Sequence, residues 1–118
     1  MTTEHSAITR AGISTHVLDT TRGVAAAGVP VTLARREGAL IVEVGSGVTG
    51  SDGRIANLMG NGDLEPGWYQ IVFDVGAYFG SQQHLFTRVT LELAISEARH
   101  HHVPLLIGPF YCSSYRGT

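Results

Sequence analysis

A chain of 118 residues, 43% apolar and 15% charged, carries enough apolar side chain for one packed core and too little length for two. Eight basic residues against ten acidic ones leave a net charge of −2, without the basic excess that a nucleic-acid binder shows. The apolar run Val103 to Ile107 is far shorter than the roughly 20 residues of a bilayer span, so nucleic acid and membrane are not expected partners. The basic residues are all arginine, which excludes Schiff-base, P-loop and amine-base chemistry. Cys112 stands alone and cannot close a disulfide within the chain. The opening Met1-Thr2-Thr3-Glu4-His5-Ser6 lacks the basic and then apolar order of a secretion signal, so a reducing, cytoplasmic home is expected.

In chain order, Met1 to Ala11 reads as a polar, mobile arm and residues 12–118 as the folded domain. Fifteen glycines and four prolines cut that domain into short segments with strand-like patterns. Ile13 to Asp19 is the first, followed by the connection Thr20-Thr21-Arg22-Gly23 and a second strand over Val29 to Arg36. Leu40 to Ser46 comes next, then the turn Ser51-Asp52-Gly53-Arg54 leading into Arg54 to Leu58. Trp68 to Val75 alternates aromatic and β-branched residues, with Trp68, Tyr69 and Phe73 expected in or beside the core. Ala77 to His84 reads as one or two helical turns, and Thr87 to Ile95 alternates again. His100 to Ile107 and Tyr111 to Arg116, parted by Gly108-Pro109, close the domain. Eight strands and one short helix, without an internal repeat, predict an all-β, antiparallel sandwich.

Side chains two residues apart share a face of a strand, and this sorts the polar residues. Ile13 and Val17 point one way, and Ser14, His16 and Leu18 the other. His101, Val103, Leu105 and Ile107 form the more apolar set of their strand and are expected inward, with His101 paired internally; His100 and His102 then lie outside. Cys112, Ser114, Arg116 and Thr118 share a face of the last strand. Histidine, hydroxyl and arginine are thus gathered on single faces of several strands.

The segments Ser14-Thr15-His16-Val17-Leu18-Asp19-Thr20, Ser51-Asp52-Gly53-Arg54, His102-Val103-Pro104-Leu105-Leu106 and Tyr115-Arg116-Gly117-Thr118 resemble, in order and spacing, those of the 5-hydroxyisourate hydrolases, the transthyretin-like enzymes of urate breakdown. The resemblance implies an eight-stranded transthyretin-like sandwich, assembled as a homotetramer (a dimer of dimers) with active sites at the interface between dimers. It also implies a metal-free, cofactor-free ring opening of 5-hydroxyisourate to 2-oxo-4-hydroxy-4-carboxy-5-ureidoimidazoline. Carried over by position, the catalytic residues are His16, Arg54, His102 and Thr118, with Arg54 and Thr118 also placed to hold substrate; Arg116, on the face of Thr118 by parity, is open to holding substrate or an interface carboxylate. Thr118 departs from the serine usual at this position, keeping the hydroxyl and adding a methyl group. His101 stands where an aromatic residue is commoner.

These residue types suit hydrolysis of a cyclic amide. Water must lose a proton as it attacks, a task for neutral imidazole, and the carbonyl oxygen gains charge that a planar guanidinium can hold. Which of His16 and His102 is the base stays open at this level. Other readings exist for the same residues. His16, His100 and His102 are the most that could serve zinc, since alternation turns His101 away. Cys112 has no evident base beside it and reads as a structural thiol. A small-molecule carrier on the same fold is the alternative function, and a structural or adaptor sandwich a third; neither needs two imidazoles and a guanidinium to converge.

Overall fold

The computed structural model describes residues 11–118. Of the expected arm, Met1 to Ala11, all but Ala11 lies outside the described residues; Ala11 itself belongs to the folded domain, packing against the core with its carbonyl accepting from Leu64 N at 3.3 Å.

Among the described residues ten strands and one helix follow in order: β1 (Ile13–Asp19), β2 (Val24–Ala25), β3 (Pro30–Glu37), β4 (Leu40–Val48), β5 (Arg54–Ile55), β6 (Gly67–Phe73), α1 (Val75–Phe79), β7 (Val89–Ile95), β8 (His101–His102), β9 (Leu105–Gly108) and β10 (Tyr111–Ser114). The excess over eight comes from short pieces. The expected strand His100 to Ile107 is broken into β8 and β9 at Pro104, which has no N–H to give to a ladder. β2 is a two-residue pairing with the end of β1, and only Arg54 and Ile55 of the stretch to Leu58 are paired.

One sheet runs β4-β3-β6-β7, antiparallel throughout. The other is organised around β1, which pairs with β2, β5, β8 and β9, with β10 beyond β9. Here the antiparallel expectation needs correction, because β1 runs parallel to both β8 and β9. These segments lie near opposite ends of the chain and are joined through the whole of the other sheet. So long a connection can return the chain in the same direction, as a short hairpin cannot.

The sheets close over Ile13 and Val17 of β1, Leu33 of β3, Ile71 and Phe73 of β6, and Leu105 and Ile107 of β9, all at most 1% exposed. Tyr69 is also buried, with its hydroxyl donating to the Glu65 carbonyl at 2.8 Å. Trp68 is not part of this core. Alternation turns it to the other side of β6, where the Arg36 guanidinium lies 4.6 Å from its ring centroid. The helix begins earlier than expected: Asp74 accepts from Ala77 N at 3.1 Å, and Gly80, at φ +60°, ends it before His84.

Candidate active site

β1 holds the site because it is flanked on both sides by short strands bearing polar side chains. Its burial alternates strictly, with Ile13, Thr15, Val17 and Asp19 buried and Ser14, His16 and Leu18 half-buried on the opposite face. On one side His16 is paired with Arg54 of β5; on the other Ser14 is paired with His102 of β8. Directly paired residues share a face, with Cβ atoms about 4.5–5.5 Å apart. Arg54, His16, Ser14 and His102 therefore occupy one patch, formed by two pairs offset by two residues along β1. Ser14, Thr15, Asp52, Arg54, Ile55, Ala56 and His102 line a cleft of about 330 Å³ there, and His16 adjoins it.

Arg54 reaches this patch through a constrained turn. Gly53 is buried at φ +78°, and a Cβ on it would lie 2.5 Å from the Val17 carbonyl oxygen. Only glycine fits, and its own carbonyl accepts from Val17 N at 2.8 Å. The Asp52 carboxylate accepts from Arg54 N at 3.0 Å, which closes the turn and leaves the Arg54 side chain exposed.

His102 is held from three directions. Its Nδ1 is 2.8 Å from Ser14 Oγ, and the same oxygen is 2.8 Å from His100 Nε2. The next residue is tied to β1 twice: Val103 N donates to the Ser14 carbonyl at 2.9 Å, and the buried Thr15 hydroxyl donates to the Val103 carbonyl at 2.6 Å. The chain terminus then passes over the ring. Gly117 N donates to the His102 carbonyl at 2.8 Å, and a Cβ on Gly117 would lie 2.6 Å from His102 Cδ2. Among the described residues Nε2 of His102 has no hydrogen-bond partner. Burial, then the Arg54 charge and then the neighbouring His16 and His100 rings hold the His102 imidazole below its ordinary pKa; burial and then His101 do the same for His100. A neutral imidazole with a free nitrogen beside a permanent cation can accept a proton from water while the cation holds a developing oxyanion.

Of the residues singled out in the sequence, His16, Arg54 and His102 converge within the one chain. Thr118 is exposed and follows the Gly117 that is bonded to His102. Arg116 is elsewhere: it lines a second cleft, of about 410 Å³, with Leu91, Leu93, His101, Val103 and Tyr115 among others. β10 ends at Ser114, so strand alternation does not extend to Arg116. The face assigned to Cys112 also needs restating, since Cys112 pairs with Ile107 and packs on the core. Ser114 spends its hydroxyl on the Pro104 carbonyl at 2.7 Å. His101 is not buried as expected; it is half-exposed, its Nδ1 2.7 Å from the Arg99 carbonyl, because the second cleft opens the sandwich at that point. Among the described residues no three His, Cys, Asp or Glu side chains gather as a metal-ligand set. Ser14 and His100, neither of them given a catalytic role from the sequence, touch His102 in the structure. Both lay on the outward face by parity, but only the parallel register of β1 and β8 brings them to His102.

A model of the HIUase/Transthyretin family matches residues 13–117. The 5-hydroxyisourate hydrolase of Deinococcus radiodurans is 41% identical over 114 residues, covering 91% of this chain and 96% of that protein. Among solved structures, the 5-hydroxyisourate hydrolase of Klebsiella pneumoniae superimposes with a TM-score of 0.81 at 37% identity, covering 92% of this chain and 99% of the other. Sea bream transthyretin, solved in complex with thyroxine, matches with a TM-score of 0.82 at 22% identity over 90% of this chain and 94% of its own. At that identity the likeness is one of fold.

Proposed function

The chain belongs to the HIUase/transthyretin family, and from that premise we propose that it is a hydrolase opening the ring of 5-hydroxyisourate to 2-oxo-4-hydroxy-4-carboxy-5-ureidoimidazoline, a step in urate breakdown. The observation that carries this is the convergence of His16, Arg54 and His102 on the outward face of β1. A carrier has no need of that set.

The chemistry follows from what each group can do. One imidazole takes a proton from water, and the resulting hydroxide adds to a ring carbonyl carbon. The oxygen becomes anionic and is held by the Arg54 guanidinium, whose planar donors match an oxyanion and a neighbouring imide oxygen. When the tetrahedral carbon collapses, the ring C–N bond breaks and the imidazolium returns its proton to the leaving nitrogen. No net proton is consumed, and the base is restored. Arg54 also discourages protonation of His102 before substrate arrives.

The reading includes assembly as a dimer of dimers, with clefts meeting across the interface between dimers. The half-buried outward residues Ser14, His16, Leu18 and Leu106 support it, being neither polar enough for open solvent nor apolar enough for a sealed core. In such an assembly Thr118 donates to substrate or aligns the attacking water, and Arg116 holds substrate or an interface carboxylate. The lone cysteine fits a cytoplasmic setting.

The test is the spectroscopic decay of freshly generated 5-hydroxyisourate. Catalytic amounts of the protein are expected to accelerate it to the ring-opened product. Unchanged decay with tight binding would make the protein a carrier, and unchanged decay without binding an adaptor. Light scattering is expected to give a tetramer at micromolar concentration; a monomer would remove the shared site.

A further inference from the structure

The contacts of His102 reach beyond the three converging groups. Its Nδ1, Ser14 Oγ and His100 Nε2 form an unbroken chain with 2.8 Å at each step. Both distances lie in the hydrogen-bonding range. A serine hydroxyl has one proton and two lone pairs, so at most one of the two imidazoles accepts from it and at least one donates to it. When the Ser14 hydroxyl donates within the chain, the tautomers of His102 and His100 are coupled: either His102 carries its proton on Nδ1 and donates it to Ser14, which donates to His100, or every bond in the chain points the other way.

Two features select the first polarity. The cleft side of His102 faces Arg54, a group with N–H donors and no acceptor. A lone pair on Nε2 is favoured there over a second N–H pointing at a cation. At the far end His100 is exposed, so its Nδ1 can keep its proton against water while Nε2 accepts from Ser14. We propose that Ser14 and His100 are positioning residues that lock His102 in the Nδ1–H tautomer, so that the lone pair of Nε2 faces the cleft and His102, rather than His16, is the general base. Burial keeps both imidazoles of the chain on the neutral side, which the arrangement requires. The groups facing it are Arg54 and His16 from β5 and β1, and His101 beside His100.

The catalytic consequence rests on the hydrolase reading; the bond polarity does not. When water gives a proton to Nε2, the imidazolium keeps its Nδ1–H on Ser14 and is stabilised by that bond. It then returns the Nε2 proton to the leaving nitrogen, and the chain ends as it began. Ser14 and His100 exchange no proton with substrate.

The experiment is nitrogen-15 NMR of the imidazoles in the full chain at neutral pH, run beside the decay assay on wild type, Ser14→Ala, Ser14→Thr and His100→Leu. Wild-type His102 is expected to show a protonated Nδ1 and an unprotonated Nε2. Ser14→Ala should release the lock into a tautomer mixture and lower kcat about 10- to 100-fold, less than loss of the base itself, with KM within about twofold. Ser14→Thr, which retains the hydroxyl, should restore both readouts. His100→Leu removes the acceptor, turns the Ser14 hydroxyl toward Nδ1 and should shift the His102 proton to Nε2. A wild-type His102 protonated on Nε2, or His102 signals and kcat unmoved by Ser14→Ala, would overturn the proposal. A locked tautomer in a protein that leaves 5-hydroxyisourate decay unchanged would instead remove the hydrolase reading and uphold the bond polarity.

Discussion

On the inward face of β1, Ile13, Thr15, Val17 and Asp19 are at most 2% exposed, and each polar group among them has its partners within the fold. The Thr15 hydroxyl reaches the Val103 carbonyl. The Asp19 carboxylate accepts from Thr21 N and Arg22 N at 3.1 Å each and from the Tyr78 hydroxyl at 2.8 Å. Burial and that last bond together push the Tyr78 phenol up from its ordinary pKa. On the outward face, Ser14, His16 and Leu18 are only half-buried, and the neighbouring Arg54 is exposed. His102 Nε2 has no protein partner there among the described residues. One strand thus separates two duties by parity: satisfied polar groups contribute to stability, and unsatisfied ones are available to substrate. Substitutions on the two faces should accordingly fail in different assays.

The sharpest separation is expected outward. His102→Asn and His16→Asn should each lower the rate of 5-hydroxyisourate decay by about 10²–10⁴-fold, and Arg54→Ala by about 10²–10³-fold. Thermal midpoints should stay within a few degrees of wild type. Large loss of stability in all three would break the comparison, because it would make the outward face structural. Inward, Asp19→Ala strands two backbone N–H donors and a phenol, and should cost roughly 1–3 kcal/mol in urea unfolding. The kcat of the fraction that stays folded should not change.

A third substitution probes the border between the faces. Gly117→Ala places a methyl group where the His102 ring now lies, so the ring or the terminal chain must move. The expectation is a kcat lowered about tenfold, with unfolding changed by less than in Asp19→Ala, since a 1 Å displacement of a reacting group can cost up to 10²-fold in rate. The smallest effect is a titration. His102 should gain its proton below the ordinary imidazole value of about 6.5, so the acid limb of kcat/KM falls off below that pH. Removing the Arg54 charge should move the NMR midpoint of His102 upward, because a repelling cation is lost. A downward movement would show that Arg54 does not act on this imidazole.

The faces of β1 were legible in the sequence because strand parity needs only neighbours along the chain: Ile13 and Val17 inward and His16 outward hold in the structure. The grouping of His16, Arg54 and His102 came from a pattern of separated segments. Its geometry rests on pairings of β1 with β5 and β8 that no local rule supplies. Where parity failed, the strand had ended or been interrupted. Pro104 breaks the ladder between β8 and β9, and Arg116 lies beyond the last residue of β10. His101 had the right parity for the core but sits where the sandwich opens into the second cleft, a feature of how the sheets meet. Trp68, expected with Tyr69 and Phe73 in or beside the core, lies beside it, on the face of β6 opposite buried Tyr69 and Phe73. The bond chain through Ser14 depends on side-chain rotamers and a parallel register, and neither is encoded in spacing.

On this reading the smaller, polar cleft beside β1, and not the larger one beside β7, receives the ring of the substrate. A crystal structure of the assembled protein with uric acid, which keeps the fused ring skeleton, tests it directly. The ring is expected in contact with Arg54 and within hydrogen-bonding reach of His16 or His102. A ring seated instead among Leu91, Leu93 and Arg116, with the three converging groups untouched, would contradict it.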